Sequence, residues 1–194
     1  MKKQVVLFIV LIVMSGIVSA QINSNVTLSQ KKQTVGVAID LLPPIMSATA
    51  GKLGYSAQLW YGYKNYRIRG VIAGFTMPDK IMGNDVFTDL KTNVTALIFD
   101  YFLKENFSGW WFGAGIERWN NEITSKTANR DYSFNNYVAT IGSGYIFKVY
   151  KNFYVEPWGA LHYVLNDESV AVGESKYETK KFQGEVSLKV GWHF

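Results

Sequence analysis

Residues 186–194, VSLKVGWHF, decide how this chain folds. Val186, Leu188, Val190, Trp192 and Phe194 fall on one side of a two-residue repeat, while Ser187, Lys189, Gly191 and His193 fall on the other. Successive side chains of a pleated strand point to opposite faces, so this is a strand with one oily face and one small or charged face. The oily face closes on two aromatics. An apolar row turned to lipid, alternating with a polar row turned to a lumen, is the pattern of a transmembrane β-barrel strand.

The same pattern recurs upstream. With the last strand extended back to 182, eight strands are expected at 34–42, 54–63, 66–75, 93–103, 109–119, 136–147, 153–165 and 182–194. Most have the roughly 9–11 residues that a tilted strand needs to cross a bilayer. The connections alternate strictly: long at 43–53, 76–92, 120–135 and 166–181, short at 64–65, 104–108 and 148–152. Long external loops and short periplasmic turns are the habit of outer-membrane barrels, and this order requires both ends of the barrel to be periplasmic. Each short turn carries Lys and Asn, which suit tight turns and an aqueous rim. Aromatics cluster beside the turns: Tyr61, Tyr63 and Tyr66; Tyr101, Phe102, Phe107, Trp110 and Trp111; Tyr145, Phe147, Tyr150, Phe153 and Tyr154. With Trp192 and Phe194 they read as a girdle at headgroup depth, and Phe75, Trp119, Tyr137, Tyr163 and Phe182 as a sparser outer one.

The amino terminus fits the same compartment. Lys2 and Lys3 precede an apolar run from 5 to 18, and Val18-Ser19-Ala20 supplies small residues before Gln21. This is the form of a secretory signal peptide, cleaved near Ala20. Residues 21–33 are polar and weakly patterned and read as a flexible periplasmic arm before one barrel domain at 34–194. The chain has no Cys, which excludes disulfides, thiol chemistry and lipid attachment at a Cys. Its formal charge of +5 includes the two signal lysines, and the expected loops mix signs, so no basic patch fit for nucleic acid forms.

With these features the chain resembles the small eight-stranded outer-membrane barrel family of bacteria, most specifically in its final strand. The resemblance implies an all-β, up-and-down antiparallel transmembrane barrel in the bacterial outer membrane, surrounded by outer-membrane lipids. It implies that Trp192 and Phe194 form the terminal signal read by the barrel-assembly machinery. It also implies roles in adhesion, envelope integrity or stress resistance. The segment LLPPIMSATA at 41–50 departs from the family picture, being apolar for an external loop. Either the first hairpin is displaced, or this loop packs into lipid or across the barrel mouth.

An eight-stranded barrel is just wide enough for side chains to fill, so a plugged lumen rather than a pore is expected. Parity turns Asp40, Arg67, Arg69, Asp100, Glu117, Glu156, His162, Glu185, Lys189 and His193 inward, with Trp60, Trp111 and Trp158. Arg67, Arg69, Asp100, Glu156 and Lys189 form a periplasmic tier, read as an ion-pair core because a buried charge is costly unless paired. Arg67 or Arg69 can meet Asp100, and Glu156 can meet Lys189, from neighbouring strands. The upper tier holds Asp40, Glu117, His162 and Glu185. His162 oriented by a carboxylate is a candidate general base. Some barrels of this size modify lipid A with a His-centred site, so the resemblance also implies a lipid-modifying alternative. Its nucleophile is missing here, since Ser143 and Ser169 are tied to His162 by no motif.

Three readings follow: a monomeric, non-enzymatic envelope protein whose surface loops serve envelope integrity or the binding of an extracellular ligand; a lipid-modifying enzyme centred on His162, with Glu185 and Asp40 as candidate partners; and a soluble lipocalin-like barrel. The third needs apolar residues inside and charges outside. No cofactor or metal is expected, since one His with carboxylates is a weak metal signal.

Overall fold

Eight strands close into one antiparallel ring, described by a computed structural model for residues 33–166 and 168–194. They are β1 (Gln33–Asp40), β2 (Tyr55–Tyr63), β3 (Tyr66–Thr76), β4 (Phe87–Phe102), β5 (Gly109–Ser125), β6 (Arg130–Tyr150), β7 (Phe153–Val164) and β10 (Phe182–His193). A separate hairpin, β8 (Ser169–Val172) and β9 (Ser175–Glu178), lies between the last two. Two helices, α1 (Leu42–Thr49) and α2 (Asp79–Met82), follow β1 and β3. The expected signal peptide at 1–20, and the arm at 21–33 except its last residue, lie outside the described residues. That last residue, Gln33, opens β1.

Ring neighbours are chain neighbours except at the closure, where β1 pairs β10 with Val37 opposite Trp192 and Asp40 opposite Lys189. Closure gives every strand two partners, which a sheet in hydrocarbon requires because lipid offers nothing to unpaired N–H and C=O groups. Burial alternates as the side-chain period demands: β1 reads exposed-buried throughout. Val186 is 75% exposed on the outer wall, whereas Lys189 and Glu156 are each 1% exposed inside. Oil outside and charge inside is the reverse of a lipocalin-like interior, so the third reading fails on parity.

Three elements depart from the sequence reading. First, the strands run into the loops expected at 76–92 and 120–135, taking the last third of the first and most of the second: β4 begins at Phe87, β5 runs to Ser125 and β6 begins at Arg130. A bilayer sets the length of a spanning segment, but nothing in water ends a ladder whose alternation continues. Here it does continue, with Phe87, Leu90, Ile123 and Phe134 buried on the inner side. Second, the loop expected at 166–181 carries the β8–β9 hairpin. It lays Val170 and Tyr177 on that cluster, with Tyr177 stacked 6.0 Å from Phe87 and 5.9 Å from Phe134. Burial pushes the Tyr177 phenol up, so it stays neutral there. The outer end is thus a small second core.

Third, the apolar 41–50 segment is a helix folded onto the barrel mouth. Its prolines sit in the first turn, where a missing N–H costs no helix bond. The Asp40 carboxylate accepts from Leu42 N at 3.0 Å, and the buried Ser47 hydroxyl accepts from Thr76 N at 3.0 Å. The first bond fixes the start of α1 at the end of β1, and the second holds α1 against β3. Of the sequence's two dispositions for this loop, the structure shows the one across the mouth, while Ile45 stays exposed.

Candidate functional site

The lumen concentrates the buried polar chemistry of the molecule. Strand periodicity puts Arg67 and Arg69 on the inner face of β3, two residues apart, and the β3–β4 register puts Asp100 directly opposite Arg67. Arg67 Nε donates to Asp100 Oδ2 at 2.7 Å; Arg69 Nε donates to the same oxygen at 2.9 Å and Nη2 to Oδ1 at 3.2 Å. Arg67 then crosses the lumen, donating from Nη1 and Nη2 to Glu156 on β7 at 3.2 and 3.1 Å. Glu156 faces Lys189 in register, with Lys189 Nζ 3.7 Å from Oε1. Aromatic faces complete the shell: Arg67 lies 4.9 Å from the Phe102 ring, and Lys189 lies 3.6 Å over Trp158. Planar guanidinium groups suit this network because one side chain reaches two carboxylates in fixed directions. Neighbouring strands made Arg67–Asp100 and Glu156–Lys189 foreseeable; the Arg67–Glu156 bridge joins strands that are not neighbours and had no such signal.

Below this tier, towards the short turns, the lumen is packed solid. Trp60 Nε1 donates to Tyr154 Oη at 2.9 Å. The Phe107 ring lies 5.7 Å from Trp60 and 5.4 Å from Phe102. Phe107 reaches this place from the short turn after β4 with φ of 50°, and Gly62 makes room, since a Cβ there would overlap the Phe107 ring. Phe102, Phe107, Trp111 and Tyr154 are therefore interior, not part of the periplasmic girdle. Phe102 and Tyr154 share parity with Asp100 and Glu156, so alternation would have outranked nearness to a turn. The outer row keeps Tyr61, Tyr63, Tyr66, Tyr101, Trp110 and Tyr150, with Tyr66 5.5 Å from both Phe99 and Tyr101. At the other end, Phe75 and Trp119 also turn inward rather than to lipid, while Tyr163 and Phe182 stack outside at 4.9 Å.

In the upper tier the imidazole of His162 sits between two carboxylates. Nε2 is 3.1 Å from Glu185 Oε2, and Nδ1 is 3.4 Å from Glu117 Oε1. His162 is opposite Gln183 in register, so Glu185 reaches it on the diagonal. The other oxygen of Glu117 accepts from Trp119 Nε1 at 2.6 Å. Asp40 belongs to a different set: it accepts from Trp158 Nε1 at 2.7 Å, from Leu42 N and from the Ser187 hydroxyl. Ser143 has the outward parity and donates to the Trp111 carbonyl at 2.8 Å, and Ser169 stands exposed on β8. Neither serine faces His162.

Between the two tiers lies a chamber of about 470 Å³. Gln58, Arg69 and Lys189 contribute to its floor, and Met46 of α1 to its roof. The interior is thus filled towards the end that carries the short turns and open towards the other. Small inward residues explain the space: Ala73 on β3, Ala96 on β4, Gly142 on β6 and Ala160 on β7. Gln58 was not singled out from sequence, because a lone Gln on an inward face has no motif.

The carboxy-terminal residues lie on the outer wall, Trp192 and Phe194 both exposed. Phe194 is pinned to β1, its N donating to the Val35 carbonyl at 2.8 Å and its carbonyl accepting from Thr34 Oγ1 at 2.6 Å.

No protein-family model and no curated protein matches the chain. Among solved structures it is similar to the N-terminal β-barrel domain of OprF from Pseudomonas aeruginosa, with 13% identity, 84% of this chain and 96% of that one covered, and a TM-score of 0.52. It is also similar to a major outer membrane protein from Thermus thermophilus, with 10% identity, 84% and 98% covered, and a TM-score of 0.49. At 13% identity the first likeness is one of fold, and this chain has the architecture of the small eight-stranded bacterial outer-membrane barrels.

Proposed function

We propose that this protein is a non-enzymatic resident of the bacterial outer membrane. Its barrel is an anchor sealed at the periplasmic half, and its outer end is a recognition platform. The observation that carries the reading is the pairing of a packed lower lumen with a structured outer end. Trp60, Trp111, Tyr154 and Glu156 are all essentially inaccessible within the lower lumen, which opposes ion flow. The raised β4–β5–β6 wall and the β8–β9 hairpin present a fixed surface, and binding residues concentrate on loops held by rigid scaffolds. The terminal Trp192 and Phe194 serve the barrel-assembly machinery, and the folded chain is a monomer in outer-membrane lipid.

Outer-membrane fractionation with heat-modifiable gel migration tests the anchor, and planar-bilayer recording tests the seal. Folded protein that migrates faster before boiling and gives no steady conductance is expected. Recovery in the soluble periplasm, or a stable open pore, would overturn the reading. The lipid-modifying alternative is disfavoured because both nitrogens of His162 face carboxylates and neither serine singled out approaches it. A lipid A mass spectrum that changes when the gene is removed would reinstate it.

A further inference from the structure

We infer that the outer half of the lumen is a binding site for one medium-chain carboxylate, its head on the Lys189–Gln58 floor and its chain along the β3–β4 wall. The inference goes beyond the anchor-and-platform reading and does not depend on which envelope role the outer end serves.

The floor is short of an acceptor. Lys189 Nζ and Gln58 Nε2 are buried, line the chamber, and have no hydrogen-bond acceptor among the described residues. Lys189 is 1% exposed and Gln58 5%. A buried ammonium left without a hydrogen bond is among the costliest states a side chain can hold. The nearest carboxylate, Glu156, is 3.7 Å from Lys189 and already receives two bonds from Arg67. Asp40, opposite Lys189 in register, has its oxygens taken by Trp158, Ser187 and Leu42 N. Arg67, Arg69 and Lys189 have Asp100, Glu156 and Asp40 around them, yet the oxygens of all three carboxylates are taken by other donors and none accepts a hydrogen bond from Lys189. The missing group is therefore an oxygen acceptor, and a carboxylate offers one oxygen to each of the two donors.

The wall shows what that acceptor is attached to. A lumen facing water is lined by polar residues, in keeping with lipid-out, polar-in alternation. Here the inward positions of β3 and β4 above the ion pairs are Val71, Ala73, Phe75, Val94, Ala96 and Ile98. Water would satisfy the two donors but gains nothing from that wall. A single aliphatic chain satisfies it. The chamber volume of about 470 Å³ falls within the range of small-molecule sites. Entry is supplied from outside: the chamber shares Phe75, Met77, Trp119 and Gln183 with a second cleft of about 460 Å³, which Tyr177 and Lys180 also line.

The test uses the full-length chain recovered from membranes, held in phosphatidylcholine nanodiscs and titrated with decanoate. Native mass spectrometry of the ejected barrel reads occupancy. The expected result is a saturable adduct of one decanoate per barrel, with decylammonium at least tenfold weaker. Lys189→Met is expected to weaken decanoate at least tenfold. Ala96→Phe, which fills the chamber from the apolar wall and leaves every charge in place, is expected to abolish the adduct while heat-modifiable migration persists. The proposal is overturned by the absence of a saturable adduct on a folded barrel, by equal binding of decylammonium, or by an adduct that survives Ala96→Phe. Loss of heat-modifiable migration by the wild-type chain would instead count against the anchor itself.

Discussion

Asp100→Asn is the most discriminating single change in the ion-pair tier. The Asp100 carboxylate is fully buried and accepts three bonds from two guanidinium groups, at 2.7, 2.9 and 3.2 Å. Asparagine keeps the shape and removes the charge. Among the described residues Arg69 would then have no carboxylate within 4 Å and Arg67 only Glu156, where the wild type gives both Asp100. Removing one partner of a buried pair costs about 3–5 kcal/mol, because the other charge stays behind without compensation. At about 1.36 kcal/mol per factor of ten, this is roughly a hundredfold to several-thousandfold in the unfolding equilibrium. Urea unfolding of the barrel in lipid vesicles, followed by Trp fluorescence and by the heat-modifiable band, measures it. Adding Arg69→Met removes the stranded cation, so the double variant is expected to recover part of the loss, with a coupling of about 1–3 kcal/mol. An Asp100→Asn barrel within about 1 kcal/mol of wild type would refute the argument, because it would mean that water screens the cluster.

Three other changes probe separate parts of the molecule. Leu97→Arg places a charge on the exposed outer wall of β4 and is expected to cost about 2–4 kcal/mol if that wall meets mid-bilayer lipid, read by the same urea titration. Gly62→Val collides with the Phe107 ring and is expected to destabilise by about 1–3 kcal/mol, with a shifted Trp emission as Phe107 moves against Trp60. Ile123→Asp buries a charge in the outer core, so limited proteolysis is expected to nick the outer end at residues 84–90 or 126–134 while the barrel still migrates as folded.

The strands were legible because alternation is dictated by two solvents. Every residue from Arg67 to Ile72 is sorted by whether it meets lipid or lumen, and no other force competes on that scale. The ends of β4, β5 and β6 were not legible, because a strand-length rule drawn from bilayer thickness says nothing about pairing in water. The ion-pair tier lay open in part for the same reason. Partners on adjacent strands follow from register, whereas the Arg67–Glu156 bridge depends on how far two side chains reach across the barrel. Phe107 was misplaced because nearness to a turn was read as nearness to lipid. Its signal was Gly62, a vacancy on the facing strand that only an incoming ring explains. The chamber was hidden in the sizes of Ala73, Ala96, Gly142 and Ala160, which parity marks as inward but whose summed shortfall in volume parity does not measure.

The bridge between Arg67 and Glu156 also bears on the order of assembly. The two residues are 89 positions apart, so the first half of the chain arrives with both guanidinium groups bonded to Asp100 alone among the carboxylates. A sheet ending at β4 therefore lacks the second carboxylate of Arg67, which only β7 supplies. Docking of β7 and completion of the Arg67 bonds are in this way a single event, and Glu156 acts as the clasp between the two halves of the ring.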